Sequence, residues 1–216
     1  MKLYYSPVSS YSQKALIAFY EKDVPFTPVV VNLMDPAARA AYEAIHPLGK
    51  VPFLYVEEND WRVPESTTII EWLEDHYPNQ GTKLIPDDRH LARQVRFRDR
   101  FADNYLNEPM QKIFFDGRKP VEDRDPKGVA AAEKTIDKAY KILEMSLGNV
   151  KGPWAMGENY SMADCSMTPC LNYLRMVRPF SAYPNITSYA NRLMERASFM
   201  KVMAEAAPIL AQMMKG

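Results

Sequence analysis

The sequence is poor in cysteine and has no long apolar run. Cys165 and Cys170 are its only two cysteines, too few for a disulfide framework or a four-cysteine zinc site, and this scarcity favours a reducing compartment. No stretch approaches the roughly 20 apolar residues of a membrane-spanning helix, and the first residues lack the apolar core of a secretory signal. We therefore expect a cytoplasmic globular protein with no membrane partner.

An excess of either charge is also missing. Lys and Arg total 27, as do Asp and Glu, so the formal net charge is zero, whereas a dedicated nucleic-acid binder normally shows a basic excess. The three histidines, His46, His76 and His90, do not have the spacing of metal ligands. We expect neither a nucleic-acid partner nor a metal.

The charge is divided unevenly along the chain. Residues 1–80 hold six basic and eleven acidic side chains, a net charge of −5, and residues 81–216 carry the complementary +5. Turn-forming residues cluster at positions 78–83, where short β-like runs give way to long helical periods. This predicts an α/β domain over residues 1–79 and an all-helical domain over residues 88–216.

The first domain is predicted to have the order β-α-β followed by β-β-α. Residues 2–5 form the first strand, a helix begins near Ser9 and ends at residues 23–25, and Val29 to Val31 suggest a strand buried on both faces of a parallel sheet. Strands at residues 51–56 and 61–63 flank a turn, and a helix starts at Ser66. In the second domain we expect helices at about 88–116, 126–148, 161–177, 186–196 and 198–213.

Three short segments could carry chemistry. Pro52 follows Val51 at a strand start, where a cis peptide would free the Val51 backbone to pair with an extended ligand, although a trans proline on an edge strand fits equally well. Glu65 and Ser66 open a helix, where the amide groups and the helix dipole favour an anion, and the alternative is a plain helix cap.

The third segment is residues 9–12, which read Ser-Ser-Tyr-Ser. Ser9 and Ser10 lie between the first strand and the first helix, where thioredoxin-type folds carry a cysteine. Without a cysteine, thiol–disulfide exchange is not expected. A serine hydroxyl can donate a hydrogen bond to a bound thiolate, and the alternative is again a helix cap.

These segments, in this order and spacing, resemble the cytosolic glutathione S-transferases. The resemblance rests on the serines at the helix start, on residues 47–52 (Pro-Leu-Gly-Lys-Val-Pro), on Glu65-Ser66, and on residues 157–164, where Ser161 and Asp164 would form a capping box. It covers essentially the whole chain. It implies a thioredoxin-like N-terminal domain followed by an all-helical domain, with glutathione as co-substrate.

The resemblance also implies roles for particular residues in glutathione binding. Val51, before the family's cis-proline Pro52, would pair with the cysteinyl part of glutathione. Glu65 would lie near the γ-glutamyl ammonium group and Ser66 near the adjoining carboxylate. Lys50 would reach the glycyl carboxylate.

The resemblance leaves the thiol-activating residue open between two serines. Ser9 matches the catalytic serine of the theta- and zeta-like classes, and Ser10 matches the cysteine of the bacterial beta class, so we favour Ser9 and keep Ser10 as the alternate. Tyr11 stands where the zeta class has a cysteine. Tyr4 and Tyr5 are weaker candidates because they precede the helix start.

The resemblance further implies a transferase that conjugates glutathione to a small hydrophobic electrophile, with Tyr11 and Tyr105 as the main candidate contacts and Phe114 or Phe115 as weaker ones. It also implies a homodimer, and the opposite charges of the two halves would suit such a pairing.

Two alternatives to the transferase function stay open. One is a non-catalytic interaction protein similar to the stringent starvation protein A of bacteria, and the other is a glutathione-dependent isomerase of the zeta type.

Overall fold

Side chains alternate between two faces along the first strand. Leu3 and Tyr5 are buried, whereas their neighbours are half-buried, as expected for a strand whose successive side chains point to opposite faces. In the computed structural model, which describes residues 1–213, this strand pairs on both sides. The sheet has the order β2-β1-β3-β4, with strands β1 (Lys2–Tyr5), β2 (Thr27–Val30), β3 (Phe53–Val56) and β4 (Trp61–Pro64).

The strand directions confirm the predicted β-α-β and β-β-α order. β1 runs parallel to β2 and antiparallel to β3, which is itself antiparallel to β4. The parallel connection contains helix α1 (Ser10–Lys22), which Asp23 ends in a left-handed conformation with φ of 52°. After α2 (Pro36–Glu43) and the β3–β4 hairpin, helix α3 (Ser66–His76) completes this half of the chain.

The prediction that Val29 to Val31 form a strand buried on both faces is wrong. β2 ends at Val30, whose side chain is 56% exposed, because β2 is an edge strand of the sheet. Its valines satisfy their β-propensity through pairing with β1 rather than through burial. Only Val31 is buried, in a cluster with Tyr42 and Phe53.

Helix α2 has no counterpart among the predicted elements. The sequence signal for this helix is the pair Asp35-Pro36. The Asp35 side chain accepts hydrogen bonds from the backbone N–H groups of Ala37 and Ala38, and Pro36 is the first residue of the helix. The helix is only eight residues long, too short for apolar periodicity to reveal it.

The chain divides into two compact units, one of residues 1–85 with the C-terminal helix α9 (Ala197–Met213) and one of residues 86–196. In the first unit, Ile69, Ile70 and Leu73 of α3 are fully buried. Lys22 and Glu74 form a buried ion pair of 2.6 Å between α1 and α3. The same carboxylate accepts the backbone N–H of Leu84 at 2.9 Å.

The second unit is helical, as predicted, but the helix expected over residues 88–116 is interrupted. A π-helical segment, Ala102–Asn107, separates its two parts. Pro109 follows closely, and because proline lacks an N–H and its ring clashes with the preceding turn, a local widening of the helix accommodates it. The helices of this unit are α4 (Arg89–Phe101), α5 (Glu108–Asp116), α6 (Pro126–Asn149), α7 (Met162–Val177) and α8 (Pro184–Met194).

The predicted capping box is present at the start of α7. Asp164 is fully buried and accepts the Ser161 N–H at 2.9 Å, the Ala155 N–H at 2.8 Å and the Tyr189 hydroxyl at 2.7 Å. Burial raises the pKa of the Asp164 carboxyl, although these hydrogen bonds favour its charged form. Within residues 1–213, none of the helices has the length and apolar character needed to cross a membrane.

Candidate active site

Three strand ends meet at one edge of the sheet and bring the predicted site segments together. The register pairs Tyr4 near the end of β1 with Phe53 at the start of β3, and Phe53 in turn with Pro64 at the end of β4. The segments that follow β1, precede β3 and follow β4 therefore share this edge. They contain, in that order, Ser9, the Val51–Pro52 pair and the Glu65–Ser66 pair.

Ser9 is the N-cap of α1. Its backbone is extended, with φ of −81° and ψ of 125°, and its Oγ accepts the Ser12 N–H at 3.4 Å. A hydroxyl that accepts in this way keeps its own hydrogen for donation. Ser9 is half-buried, so its hydroxyl combines a free donor with the positive end of the helix dipole.

Ser10 differs from Ser9 in position and burial. It is the first residue of α1 and is 5% exposed. Ser12 is fully buried, and its Oγ accepts the backbone N–H of Ser6 at 3.2 Å. The serines of this segment therefore support the loop and the first helical turn as well as offering hydroxyls.

A tight turn positions Lys50. Gly49 has φ of +60°, a left-handed conformation that a residue with a side chain adopts only with strain. The Tyr42 hydroxyl donates to the Lys50 carbonyl at 2.6 Å. The turn and this hydrogen bond hold the backbone of Lys50, and its side chain is exposed.

The peptide bond between Val51 and Pro52 is cis, which is one of the two alternatives that the sequence left open. Val51 is 8% exposed and lies two residues before β3 begins. The backbone N–H and C=O groups of Val51 thus precede the strand-to-strand hydrogen bonds of β3 and lie at the same edge of the sheet as Ser9.

Glu65 adopts an uncommon backbone conformation at the start of α3. Its φ is 69°, a value that costs free energy in a non-glycine residue and that tends to occur at functional sites. The Glu65 carbonyl accepts the Ile69 N–H at 3.0 Å and the Thr68 hydroxyl at 2.9 Å. Its side chain makes no cap hydrogen bond and is exposed, so the carboxylate is available to an external cation.

Ser66 is the first residue of α3 and is 3% exposed. Its side chain is thus buried at the N-terminal end of this helix. Together with the unsatisfied N–H groups of the first helical turn, the Ser66 hydroxyl provides donors for an anion.

Two residues that sequence reasoning missed support this edge. The His46 ring stacks on Phe53 at 4.5 Å, and burial lowers the pKa of His46, although the nearby Glu65 carboxylate partly offsets that effect. Lys14 is 1% exposed, and its ammonium group donates to the Thr67 hydroxyl at 2.8 Å beside Ser66. Neither residue has a sequence signal for this role, because both act through contacts distant in the chain.

The two tyrosines of β1 make different contacts within the first unit. The Tyr4 ring packs 5.8 Å from that of Tyr42 and 5.9 Å from that of Phe53. The Tyr5 hydroxyl donates to Glu205 at 2.6 Å. The Tyr5 hydroxyl is thus already engaged, and the lower rank of both tyrosines as thiol activators stays a prediction.

The residues predicted to contact an electrophile lie in separate units. Tyr11 is half-buried in the first turn of α1. Tyr105 belongs to the π-helical segment of the second unit, is 48% exposed, and packs 5.5 Å from Phe101. Phe114 lies under the Arg118 guanidinium at 4.3 Å, which is a packing role. The contact of Tyr11 and Tyr105 with an electrophile stays a prediction.

Comparison with known proteins gives a family for both halves of the chain. Residues 3–81 match the family model described as "Glutathione S-transferase, N-terminal domain", and residues 106–197 match "Glutathione S-transferase, C-terminal domain". The protein belongs to the glutathione S-transferase family, which confirms the resemblance found in the sequence and the fold that it implied.

Individual related proteins align with most of the chain. Glutathione S-transferase hmp2 of Hypomyces subiculosus is 29% identical, with 95% of this chain and 99% of that protein aligned. A crystal structure of a glutathione S-transferase from Methylobacillus flagellatus with glutathione bound is 27% identical, with a TM-score of 0.82 over 93% of this chain and 98% of that one. A bacterial zeta-class maleyl pyruvate isomerase is 25% identical, with a TM-score of 0.79 over 96% and 98%.

Proposed function

We propose that this protein is a glutathione transferase that binds glutathione at the shared edge of β1, β3 and β4 and activates its thiol with Ser9. The observation that carries the proposal is the strand register, which gathers Ser9, the cis Val51–Pro52 bond and the Glu65–Ser66 pair at one edge. Family membership and the glutathione-bound relative support the same activity.

Each polar part of glutathione has a complementary group in this site. Glu65 offers an exposed carboxylate to the γ-glutamyl ammonium group, and Ser66 with the α3 N-terminus offers donors to the adjoining carboxylate. The Val51 backbone would pair with the cysteinyl part beside Pro52. The exposed Lys50 side chain would reach the glycyl carboxylate.

Thiol activation follows from the Ser9 geometry. A free thiol of this kind titrates near 8.5, so only a few per cent is ionised at neutral pH. The Ser9 hydroxyl would donate a hydrogen bond to the thiolate at the positive end of α1. Lowering the thiol pKa by about two units requires about 2.7 kcal/mol of preferential stabilisation of the thiolate.

The ionised sulfur then attacks an electrophilic carbon, forming a sulfur–carbon bond while the displaced electron pair goes to a leaving group or to an adjoining polar group. The thiol proton passes to solvent. Tyr11 and Tyr105 are the residues that we propose for contact with the electrophile.

We also propose that the protein is a cytoplasmic homodimer with a detoxification role. Neither of the two alternative functions, an interaction protein or a zeta-type isomerase, is specifically favoured.

The test compares Ser9→Ala with Ser10→Ala as the matched control. Both variants should bind glutathione, because neither loses a group assigned to its charged ends. In Ser9→Ala the pKa of the bound thiol, followed by thiolate absorbance against pH, should rise by about one to two units, and the conjugation rate at neutral pH should fall at least about tenfold. An unchanged thiol pKa in Ser9→Ala, with a raised pKa in Ser10→Ala, would transfer the role to Ser10.

A further inference from the structure

A second cleft lies in the first unit, formed by residues that have no part in the proposed glutathione site. It has a volume of about 400 Å³ and lies among the C-terminal end of α1, the loop leading to β2, and α9. Volumes of this size are typical of small-molecule pockets. None of the residues proposed for glutathione binding lines it.

Four of the ten residues that line the cleft are aromatic. The Phe26 ring lies at the centre of an aromatic cluster, with its centroid 4.7 Å from that of Phe19, 6.2 Å from that of Tyr20 and 6.4 Å from that of Tyr5. Aromatic faces carry partial negative charge, so they attract cations as well as apolar groups.

A carboxylate from α9 enters this aromatic cluster. Glu205 accepts hydrogen bonds from the hydroxyls of Tyr5, at 2.6 Å, and of Tyr20. Burial and the Glu205 charge raise the pKa of both tyrosines well above the usual value, so both hydroxyls stay protonated and hold the carboxylate in place. An ionised carboxylate has about four acceptor positions, and two hydroxyls leave the others available.

Glu205 has no cationic partner among residues 1–213. Lys201, one turn earlier on α9, directs its ammonium group over the Tyr20 ring at 5.3 Å from the centroid rather than to Glu205. Asp23 adds a second, exposed carboxylate to the lining. The cleft therefore holds two carboxylates against one ammonium group, a net negative charge beside aromatic faces.

We propose that this cleft binds a protonated organic amine that carries an aromatic or apolar group. The ammonium group would donate to the free acceptor positions of Glu205, and the apolar group would pack against Phe26 and the tyrosine rings. This site is independent of the proposed glutathione site, since the two share no residues.

The probes are three compounds of similar shape and different charge: 2-phenylethylammonium, 2-phenylethanol and 3-phenylpropanoate. Each is titrated into the full chain and followed by amide chemical shifts. We expect the ammonium compound to bind with a dissociation constant of about 1 mM, with shifts confined to residues 19–26 and 201–206. The neutral and anionic compounds should bind at least about tenfold more weakly.

Two variants test the charge of the site in opposite directions. Glu205→Gln keeps an acceptor for the tyrosines but removes the charge, and it should weaken amine binding at least about tenfold. Lys201→Met removes the competing cation and should strengthen it about threefold. Glu58→Gln, the same change at an exposed position of the β3–β4 turn, is the matched control and should have no effect.

The proposal is overturned if the ammonium compound gives no saturable shifts, or if the anionic compound binds more tightly. It is also overturned if Glu205→Gln binds the amine as well as the unmodified chain does. Glutathione binding should be unchanged in Glu205→Gln, so a failure of this proposal is distinguishable from a failure of the transferase proposal.

Discussion

His46 shows how one side chain can couple the candidate site to pH. Its ring is stacked on Phe53 and is 8% exposed, near the Glu65 carboxylate. Burial disfavours the imidazolium form more than Glu65 favours it, so the pKa of His46 is lowered in the folded state. The unfolded chain therefore binds a proton on His46 more readily than the folded one.

The sign of the effect on stability follows from this difference. An unfolded histidine takes up its proton at about pH 6.5. As the pH falls from there to the lower pKa of His46 in the folded state, the free energy of unfolding should decrease. His46→Phe keeps an aromatic ring and removes the titration. Urea unfolding of both proteins between pH 8 and 5 should show a steeper decrease for the unmodified chain.

Replacement of an exposed histidine, in His90→Gln, is the control for this experiment. It should leave the slope of stability against pH unchanged. Equal slopes for the unmodified chain and for His46→Phe would contradict the assignment of a lowered pKa to His46.

At the scale of elements, the Lys22–Glu74 pair joins three parts of the first unit. The ammonium group and carboxylate are 2.6 Å apart, with side chains 0% and 9% exposed, and they connect the end of α1 to α3. Glu74 also accepts the Leu84 N–H from the segment after α3. Removal of one charge from such a pair leaves the other buried without a counter-charge.

Lys22→Met should therefore lower the free energy of unfolding by about 3–5 kcal/mol, measured by urea denaturation. The double variant Lys22→Met, Glu74→Gln should recover part of that loss, because glutamine is neutral and can still accept the Leu84 N–H. Lys2 and Glu57 form an exposed pair at 2.7 Å, so Lys2→Met is the control and should have a much smaller effect. If the double variant were less stable than Lys22→Met, the buried-charge explanation would be wrong.

Local signals predicted most elements of this fold, and non-local context determined the exceptions. The helix starts at Ser9 and Ser161 follow from capping residues that precede apolar periods. Helix α3 begins at Ser66 as expected, but its N-cap, Glu65, makes no side-chain cap hydrogen bond. The exposure of Val30 depends on its place at the edge of the sheet, which its own β-branched side chain does not reveal. The π-helical segment before Pro109 likewise depends on backbone adjustment rather than on periodicity.

At the scale of the whole molecule, the charge division predicts association between chains. Residues 1–80 have a net charge of −5 and residues 81–216 a net charge of +5. This favours pairing of the acidic part of one chain with the basic part of another. Sedimentation at low salt should give about twice the chain mass of 24.8 kDa, and higher salt should weaken the association by screening. A monomer at all protein concentrations would contradict this prediction.

The candidate site was predictable only where its residues are close in sequence. Lys50, Val51 and Pro52 fall in one segment, and Glu65 with Ser66 in another, so motif spacing was sufficient to find them. Contacts between distant positions could not be predicted from motif spacing. The Lys14–Thr67 hydrogen bond, for example, joins residues that are 53 positions apart. Such contacts depend on how the helices pack on the sheet, which spacing along the chain does not encode.

Calorimetric titration of glutathione is the most direct test of the central claim, that the edge shared by Ser9, Val51 and Glu65 is a glutathione site. The unmodified chain should bind with a dissociation constant between about 1 μM and 1 mM. Ser66→Ala should weaken binding at least about tenfold, because a buried hydroxyl donor to a charged group is lost, whereas Thr82→Ala, in the segment after α3, should bind normally. No detectable heat of binding to the unmodified chain would contradict the account.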